Sequence, residues 1–301
     1  MNSASASSSV RQSRRRLAGE LAFVIAFWVA ANLIAFRIID LYERNADCTQ
    51  YGLPFEVAMK FEDRKAPLVD LKYGDRKFAR YELLAPLKQE FGRRYPLILY
   101  LHGLGERGDD NVRQLRSLPA LLASDAYRER YPCYLVAPQC SMAAGWWFVR
   151  NRQPGATFPD ELDAVCEILN HVIKTCAVDV DRIYVIGFSM GGYGAWELAC
   201  RCPDRFAAVI PVAGGGSIDR AELLRETTIW AIHGAADDVV SPAGSRDMIA
   251  AIRAAGGTPH YSELAGVGHG VWEPVFRDSH ELLDWLFQQK RRSVLGDTSA
   301  S

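Results

Sequence analysis

The hydrophobic positions of this sequence form one long apolar run near the N-terminus and, after it, many short apolar segments. Residues 21–36 read LAFVIAFWVAANLIAF, with Asn32 as the one polar residue. Apolar residues cover every side of a helix drawn through this run, unlike the one-sided stripe of a soluble surface helix. Continued to Ile39, the helix is about 28 Å long, close to the ~30 Å hydrocarbon core of a bilayer. We therefore predict a transmembrane helix over residues 17–39.

The flanks of this run favour an uncleaved signal-anchor over a cleaved signal peptide. A signal peptide has a shorter apolar stretch, about 7–15 residues, followed by a small-x-small cleavage site. Residues 37–42 read RIIDLY and offer no such site. Four arginines lie within residues 11–16, and the positive-inside rule keeps such a flank in the cytoplasm. The pattern predicts a single-pass membrane protein whose remaining chain is extracytoplasmic or periplasmic.

Beyond the anchor, short segments alternate between strand-like and helix-like spacing. A continuous apolar run such as 97–101 is typical of a strand covered on both faces. Predicted strands cover residues 78–84, 97–101, 134–138, 182–187, 207–212 and 228–232, with another ending near Leu264. Predicted helices cover residues 160–175, 191–202, 241–255 and 279–288. This alternation predicts an α/β fold with a mostly parallel, doubly wound sheet and helices on both faces.

These patterns divide the chain into five regions. We expect a disordered basic N-terminus over 1–16, the anchor over 17–39, a linker over 40–56, the α/β domain over 57–290 and a disordered tail over 291–301. Apolar residues make up 49% of the chain, enough for a buried core. The 35 basic and 36 acidic residues nearly cancel, so charge does not point to nucleic acid as a partner.

The seven cysteines are too few for a disulfide scaffold, and no pair has the C-x-x-C spacing of a zinc or redox site. Two interpretations stay open: buried free thiols, or disulfides formed outside the cytoplasm. Cys133 with Cys140 is the first pair to test in the second case. No metal ligand set is indicated.

Ser189 is the candidate nucleophile. It lies in Gly187-Phe188-Ser189-Met190-Gly191, between a predicted strand and a predicted helix, which is the context of a nucleophile elbow. Glycine on both sides suits a sharp turn in which a Cβ atom would clash. A serine hydroxyl is a weak nucleophile, so it needs a base, a group that orients the base, and donors for the oxyanion.

Candidates for these partners follow in the chain order serine, acid, histidine. Asp237 lies in the loop after the strand at 228–232 and is the predicted acid, with neighbouring Asp238 as the alternative. His269 lies in the glycine-rich loop GVGHG before the last helix and is the predicted base. We interpret His102 and His233, which end strands, as structural.

The oxyanion hole is predicted from two backbone amides. Met190 follows the nucleophile, and Leu104 lies in the loop HGLG directly after the strand at 97–101. The catalysis predicted from this set needs no metal and no cofactor.

The substrate pocket is predicted to be shallow. Only residues 213–227 separate two predicted strands at the position where a lid is often inserted, too few for a helical cap. Such a site suits an ester on the end or side chain of a larger molecule. Trp146, Trp147 and Trp272 are candidates for an aromatic wall, with core packing as the alternative for each.

With these motifs, the sequence resembles the α/β-hydrolase superfamily, in its branch of esterases and peptidases that includes feruloyl-esterase-like, polyhydroxybutyrate-esterase-like and dienelactone-hydrolase-like proteins. The resemblance rests on LHGLGERGDDN at 101–111, APQC at 137–140, the Ser189 elbow and the His269 loop. It covers about residues 57–290 and implies an α/β-hydrolase fold with a minimal cap. It carries the nucleophile, acid and base to Ser189, Asp237 and His269.

The resemblance implies hydrolysis of carboxylic esters through a covalent acyl-enzyme. A serine peptidase of the same fold, or a membrane-tethered binding protein without catalysis, are the alternatives. Glu106 and Arg107 also match the loop of these proteins, and we expect them to hold that loop by an ion pair.

Overall fold

One eight-stranded sheet organises the domain. The structure, a computed structural model, describes residues 3–68, 76–146, 161–277 and 280–291. The strand order is β1-β2-β4-β3-β5-β6-β7-β8. The strands are β1 Glu62–Pro67, β2 Phe78–Leu84, β3 Tyr95–Leu101, β4 Tyr134–Pro138, β5 Val178–Phe188, β6 Ala208–Val212, β7 Trp230–Gly234 and β8 His260–Leu264.

Strands β3 to β8 pair in parallel, and β1 and β2 are antiparallel additions at one edge. Strands β3, β4 and β6 are buried at every residue, because helices cover both faces of a parallel sheet. The chain passes to opposite sides of β3 to reach β4 and β5. Such a switch in direction opens a crevice at the carboxyl ends of the strands, where ligands bind in open α/β sheets.

Helices pack on the two faces over separate hydrophobic clusters. One cluster receives α5, α6 and α7; the other receives α3, α8 and the end of α1. The helices are α1 Ser3–Tyr51, α2 Phe55–Ala58, α3 Leu118–Leu122, α4 Asp125–Arg130, α5 Leu162–Thr175, α6 Met190–Arg201, α7 Ala243–Ala254 and α8 Glu281–Gln288. The predicted α/β class, its parallel sheet and its two helical layers are confirmed.

Strand β1 is absent from the sequence prediction. Its sequence is EDRKAP, and Ala66 is its one buried residue. Charged residues on an edge strand discourage pairing with a further strand. They also remove the alternating apolar pattern by which a strand is recognised in a sequence, so β1 becomes visible only through its pairing with β2.

The N-terminal helix α1 is longer than the predicted anchor. Its apolar part is exposed, and residues 21–51 are long and apolar enough to cross a membrane; a signal sequence would pass the same test. The predicted disordered start and linker are corrected here, since one helix runs from Ser3 to Tyr51. A helix nucleated in the apolar run extends into its neighbours at little cost. Its last turns pack on the domain, where Cys48 is buried.

The seven cysteines, all within the described residues, are free thiols. Of the two interpretations that the sequence left open, the structure shows free thiols, and it excludes the pair Cys133 and Cys140. The two residues flank β4 at opposite ends, roughly 20 Å apart at the rise of an extended strand. A disulfide needs Cα atoms within about 7 Å. Cys133 also lies in the cluster on one face of the sheet and Cys140 in the cluster on the other.

Candidate active site

Ser189 lies in a sharp turn between β5 and α6. Its backbone has φ 54° and ψ −113°, a left-handed conformation that is costly for a residue with a Cβ atom. Its amide donates to the Val212 carbonyl at 2.8 Å, which ties the turn to β6. A Cβ atom at Gly187 would lie 1.9 Å from the Gly191 oxygen, and one at Gly191 would lie 1.8 Å from the Leu101 oxygen. The strained turn therefore requires glycine at both positions.

The three predicted catalytic side chains form one hydrogen-bonded chain. Nε2 of His269 lies 2.9 Å from Oγ of Ser189, and Nδ1 of His269 lies 2.7 Å from Oδ2 of Asp237. Ser189 follows β5, Asp237 follows β7 and His269 follows β8, so all three stand at the carboxyl edge of the sheet. An Nδ1–H that donates to the carboxylate leaves Nε2 as the acceptor for the serine hydroxyl.

Asp237, and not its neighbour Asp238, is the carboxylate on His269. The Asp237 side chain is fully buried, and its Oδ1 accepts hydrogen bonds from the amides of Val239 and Val240, both at 2.9 Å. Burial acts to raise the pKa of Asp237, but these amides and His269 outweigh it and hold that pKa below its ordinary value. The carboxylate is therefore ionised at neutral pH. Asp238 is exposed.

His233 makes a contact with this carboxylate that the sequence did not reveal. Its Nε2 lies 2.9 Å from the Val240 oxygen and 3.3 Å from Oδ2 of Asp237. Its Nδ1 lies 2.8 Å from Oγ of Ser245, which in turn donates to the Gly214 carbonyl at 2.8 Å. The buried imidazole thus connects the loop after β7 to the loop after β6. The position of His233, at the end of β7 and four residues before Asp237, is the signal that could have revealed this contact.

Phe188 is a second neighbour that the sequence left unassigned. Its ring centroid lies 5.2 Å from that of His269, with the planes tilted by 37°. The phenyl ring restricts how far the imidazole can turn away from Ser189. The residue before the nucleophile therefore has a packing role in the site.

The loop after β3 lies against the nucleophile. A Cβ atom built on Gly103 would lie 3.7 Å from Cβ of Ser189 and 3.4 Å from the Phe188 ring. Leu104 begins a 3-10 turn and Met190 begins α6, so neither amide has an acceptor within its own helix. These are the two amides that the sequence predicts for the oxyanion hole, and that role stays a prediction.

The expected ion pair between Glu106 and Arg107 is wrong, because the two side chains have other partners. Oε2 of buried Glu106 accepts from the Gly103 amide at 2.8 Å. Arg107 donates to main-chain oxygens, including that of Met142 at 3.0 Å. Burial raises the pKa of Glu106 to about 7, while the Gly103 amide acts in the opposite direction. Glu106 therefore braces the start of the oxyanion loop from inside.

His102 fixes the other side of this loop. It is buried, and burial lowers its pKa to about 4, so the ring is neutral. Nε2 accepts the Cys140 amide at 2.9 Å, which leaves the Nδ1–H to donate to the Gly103 carbonyl at 2.7 Å. The ring thus joins the loops after β3 and β4 and has the structural role that the sequence indicates.

The three candidate tryptophans have different outcomes. Trp146 is corrected to a core residue: its side chain is 1% exposed, and its indole N–H donates to the His102 carbonyl at 2.9 Å. Trp272 is half-buried and stacks on Phe276 with centroids 4.4 Å apart, so a role in substrate contact stays a prediction. Trp147 lies outside the described residues.

The connection between β6 and β7, which lies wholly within the described residues, carries little added structure. The connection over residues 213–229 contains one short 3-10 helix, Ile218–Leu224, in agreement with the predicted minimal cap. The His269 side chain keeps 21% of its surface exposed, and Ser189 is partly exposed. Both side chains are therefore accessible from solvent.

The chain is similar in sequence to one family model and to several known proteins. A family model described as alpha/beta hydrolase fold matches residues 96–234. The bifunctional acetylxylan esterase/xylanase XynS20E of Neocallimastix patriciarum is 26% identical over 215 residues, 71% of this chain and 30% of that protein. Lysophospholipase-like protein 1 of Mus musculus is 24% identical over 197 residues, 59% of this chain and 81% of that protein.

The crystal structure of a thermostable esterase has a TM-score of 0.70 and 31% identity with this chain, over 78% of this chain and 64% of the other. The chain spans less than a third of the length of XynS20E. The sheet order and the match over residues 96–234 agree on the fold. The chain has the α/β-hydrolase fold, and its likeness is to esterases of that fold.

Proposed function

We propose that this protein is a serine hydrolase that cleaves carboxylic esters through a covalent acyl-enzyme. The observation that carries the proposal is the hydrogen-bonded chain from Asp237 through His269 to Ser189, with Ser189 in the strained turn that exposes a nucleophile. The likeness to esterases supports the ester as substrate.

The proposed reaction depends on proton transfer between Ser189 and His269. Nε2 of His269 takes the hydroxyl proton while Oγ of Ser189 bonds to the ester carbonyl carbon. The resulting oxyanion lies where the amides of Leu104 and Met190 can donate to it. Collapse of this intermediate breaks the bond to the leaving alkoxide, which receives the proton from His269. Water then repeats the sequence on the acyl-enzyme and releases the carboxylic acid.

Asp237 keeps the imidazole in the tautomer that this sequence needs. Ionised Asp237 accepts from the Nδ1–H of His269, and it stabilises the imidazolium that forms during each proton transfer. An ester is preferred over an amide, because an alkoxide leaves with less help from a general acid. The short connection between β6 and β7 suits an ester carried on the end or side chain of a larger molecule.

The test is turnover of nitrophenyl esters and nitroanilides by the full chain in detergent, with Ser189→Ala as the matched variant. We expect ester hydrolysis that falls by several orders of magnitude in the variant, and labelling of Ser189 alone by a fluorophosphonate probe. Faster cleavage of the amides would favour a peptidase. Unchanged turnover in the variant would end the proposal, and a wild type that neither turns over nor labels would indicate a binding protein.

We further propose that α1 anchors the catalytic domain outside the cytoplasm. The exposed apolar part of α1 and the arginines before it support this location. Protease added to spheroplasts should digest the domain, whereas full protection would contradict the topology. The mass of the mature N-terminus distinguishes the anchor from a cleaved signal peptide.

A further inference from the structure

Arg44, on the last turns of α1, binds a carboxylate inside the catalytic domain. Its guanidinium contacts both carboxylate oxygens of Glu82 on β2, at 2.8 and 3.1 Å, and donates to the Ala58 carbonyl at 2.9 Å. The Glu82 side chain is fully buried and the Arg44 side chain is 14% exposed. This ion pair therefore lies in the interior, although one partner comes from the helix that carries the anchor.

Glu82 in turn holds the segment that follows the oxyanion loop. Nδ2 of Asn111 donates to Oε1 of Glu82 and to Oδ1 of Asp63, both at 3.1 Å. Asn111 has φ 58°, in the left-handed region that asparagine adopts more readily than most residues with a Cβ atom. The main-chain amide of Asn111 donates to Oε1 of Gln139 at 2.7 Å. Asn111 is thus fixed from both sides.

The hydrogen bonds continue from Gln139 to the nucleophile. Nε2 of Gln139 donates to the Glu106 carbonyl at 3.1 Å. Glu106 accepts from the Gly103 amide, and Gly103 packs against Ser189. Leu104, whose amide is the predicted oxyanion donor, lies between Gly103 and Glu106. A continuous set of contacts therefore joins α1 to the oxyanion loop.

The charge balance at Glu82 makes this set depend on Arg44. Burial raises the pKa of Glu82 to about 7; Arg44 and Arg80 act to lower it, and nearby Asp63 acts to raise it. Removing one partner of a buried ion pair leaves an uncompensated charge, which is strongly destabilising. A Glu82 that keeps its charge without this counter-ion is driven towards water, and that movement alters its bond to Asn111.

We propose that Arg44 is a positioning residue of the active site, which acts through Glu82 and Asn111 to hold the loop that carries the Leu104 amide. The inference rests on the proposed function. It makes the end of the anchor helix a working part of the catalytic domain. Helix docking does not depend on Arg44 alone, because Tyr51 stacks on Arg113 at 4.3 Å and Cys48 is buried.

Four variants of the full chain in detergent test this proposal: Arg44→Met, Arg44→Lys, the double variant Arg44→Met/Glu82→Gln, and Lys60→Met. The last is the matched control, since Lys60, between α2 and β1, forms an ion pair with Asp125 at 2.7 Å that is not part of the contacts from Arg44 to the loop. The readouts are kcat and KM for a nitrophenyl ester, the rate of fluorophosphonate labelling per folded molecule, and inhibition by phenylboronic acid, which forms a tetrahedral adduct on the serine.

We expect Arg44→Met to lower kcat, labelling rate and boronate affinity by about 10-fold with KM unchanged, because a loop displaced by a fraction of an ångström weakens transition-state contacts first. Arg44→Lys should lose less, since one ammonium cannot bridge both oxygens. The double variant should recover to within about threefold of the wild type, because the neutral amide that Glu82→Gln introduces still accepts from Asn111. Lys60→Met should match the wild type.

Arg44→Met with wild-type kinetics, or a loss that Glu82→Gln does not relieve, would overturn the proposal. If Arg44→Met does not fold, Arg44→Lys decides: a labelling rate equal to that of Lys60→Met would overturn it. A wild type that labels but hydrolyses no ester contradicts the ester substrate alone, since the labelling comparison still tests Arg44. A wild type that does not label contradicts both.

Discussion

Nε2 of His233 lies 3.3 Å from Oδ2 of Asp237, the same oxygen that His269 contacts at 2.7 Å. Two histidines therefore converge on one carboxylate, one from the end of β7 and one from the loop after β8. With the amides of Val239 and Val240 on the other oxygen, the orientation of Asp237 is fixed on all sides. The orientation of the catalytic imidazole then follows from that of the acid.

The choice between adjacent carboxylates can be tested directly. Asp237→Asn should lower kcat by about 10³- to 10⁴-fold, because a neutral amide neither fixes the tautomer of His269 nor stabilises the imidazolium. Asp238→Asn is the matched control and should retain activity, since Asp238 is exposed. The measurement is kcat for a nitrophenyl ester. An equal loss in both variants, or a larger loss at Asp238, would contradict the assignment.

Trp146→Phe should lower stability and leave substrate binding unchanged. The change removes the indole N–H that donates to the buried His102 carbonyl, at a cost of about 1–3 kcal/mol. We expect an apparent Tm several degrees lower than that of the wild type, with KM within about twofold. A rise in KM without a change in Tm would contradict the core role and support the predicted contact of Trp146 with substrate.

The nucleophile turn should not tolerate a methyl group at Gly191. Alanine there would place Cβ 1.8 Å from the Leu101 oxygen, a main-chain atom of the central strand. We expect Gly191→Ala to destabilise the fold by about 3 kcal/mol and to abolish labelling of Ser189. Gly105→Ala is the control for folding, because no atom lies within 4 Å of its added Cβ. Thermal melts of both variants decide; equal Tm values would show that the turn can relax.

Glu106 should make stability depend on pH. Its pKa is raised to about 7 by burial, from an ordinary 4.5. Between these values the folded protein holds a proton that the unfolded chain has released, so the stability that Glu106 contributes below pH 4.5 is lost as pH rises through about 7. The Tm of Glu106→Gln minus the Tm of the wild type should therefore increase from about pH 4.5 to about pH 8.

The matched control is Glu129→Gln, which removes a negative charge from an exposed position. The side chain that Glu106→Gln introduces still offers an oxygen to the Gly103 amide, so this variant and the wild type differ mainly in titration. A Tm difference for Glu106→Gln that is constant over this pH range, or that parallels the control, would contradict the raised pKa.

Much of the sheet and the three central side chains could be predicted because their causes are local. Strands buried on both faces leave unbroken apolar runs, as at β3 and β4. A nucleophile turn needs glycine at fixed distances from Ser189. The acid and the base must follow strands, because only the carboxyl edge of the sheet brings Asp237 and His269 together.

The remaining errors concern contacts that the local sequence does not determine. Glu106 and Arg107 are adjacent and opposite in charge, yet the 3-10 turn directs one inward to the Gly103 amide and the other to main-chain oxygens. Arg44 and Glu82 are 38 positions apart. The hydrophobic periodicity of the sequence does not indicate which arginine of an N-terminal helix will face a buried carboxylate. Trp146 shows the same limit, since the core and a substrate wall use the same aromatic residues.

The helix runs unbroken through residues 21–51, so no flexible linker separates the proposed anchor from the part of the helix that packs on the domain. An enzyme on a flexible tether sweeps a volume that grows with the length of the tether. Here Arg44, which forms the ion pair with Glu82 of the domain, lies only about 8 Å beyond Ile39 along the helix axis. With residues 17–39 in a bilayer, as proposed, this rigid connection would hold Ser189 close to one height above the surface. Under the proposed function and location, an ester substrate would have to come to Ser189 within that layer.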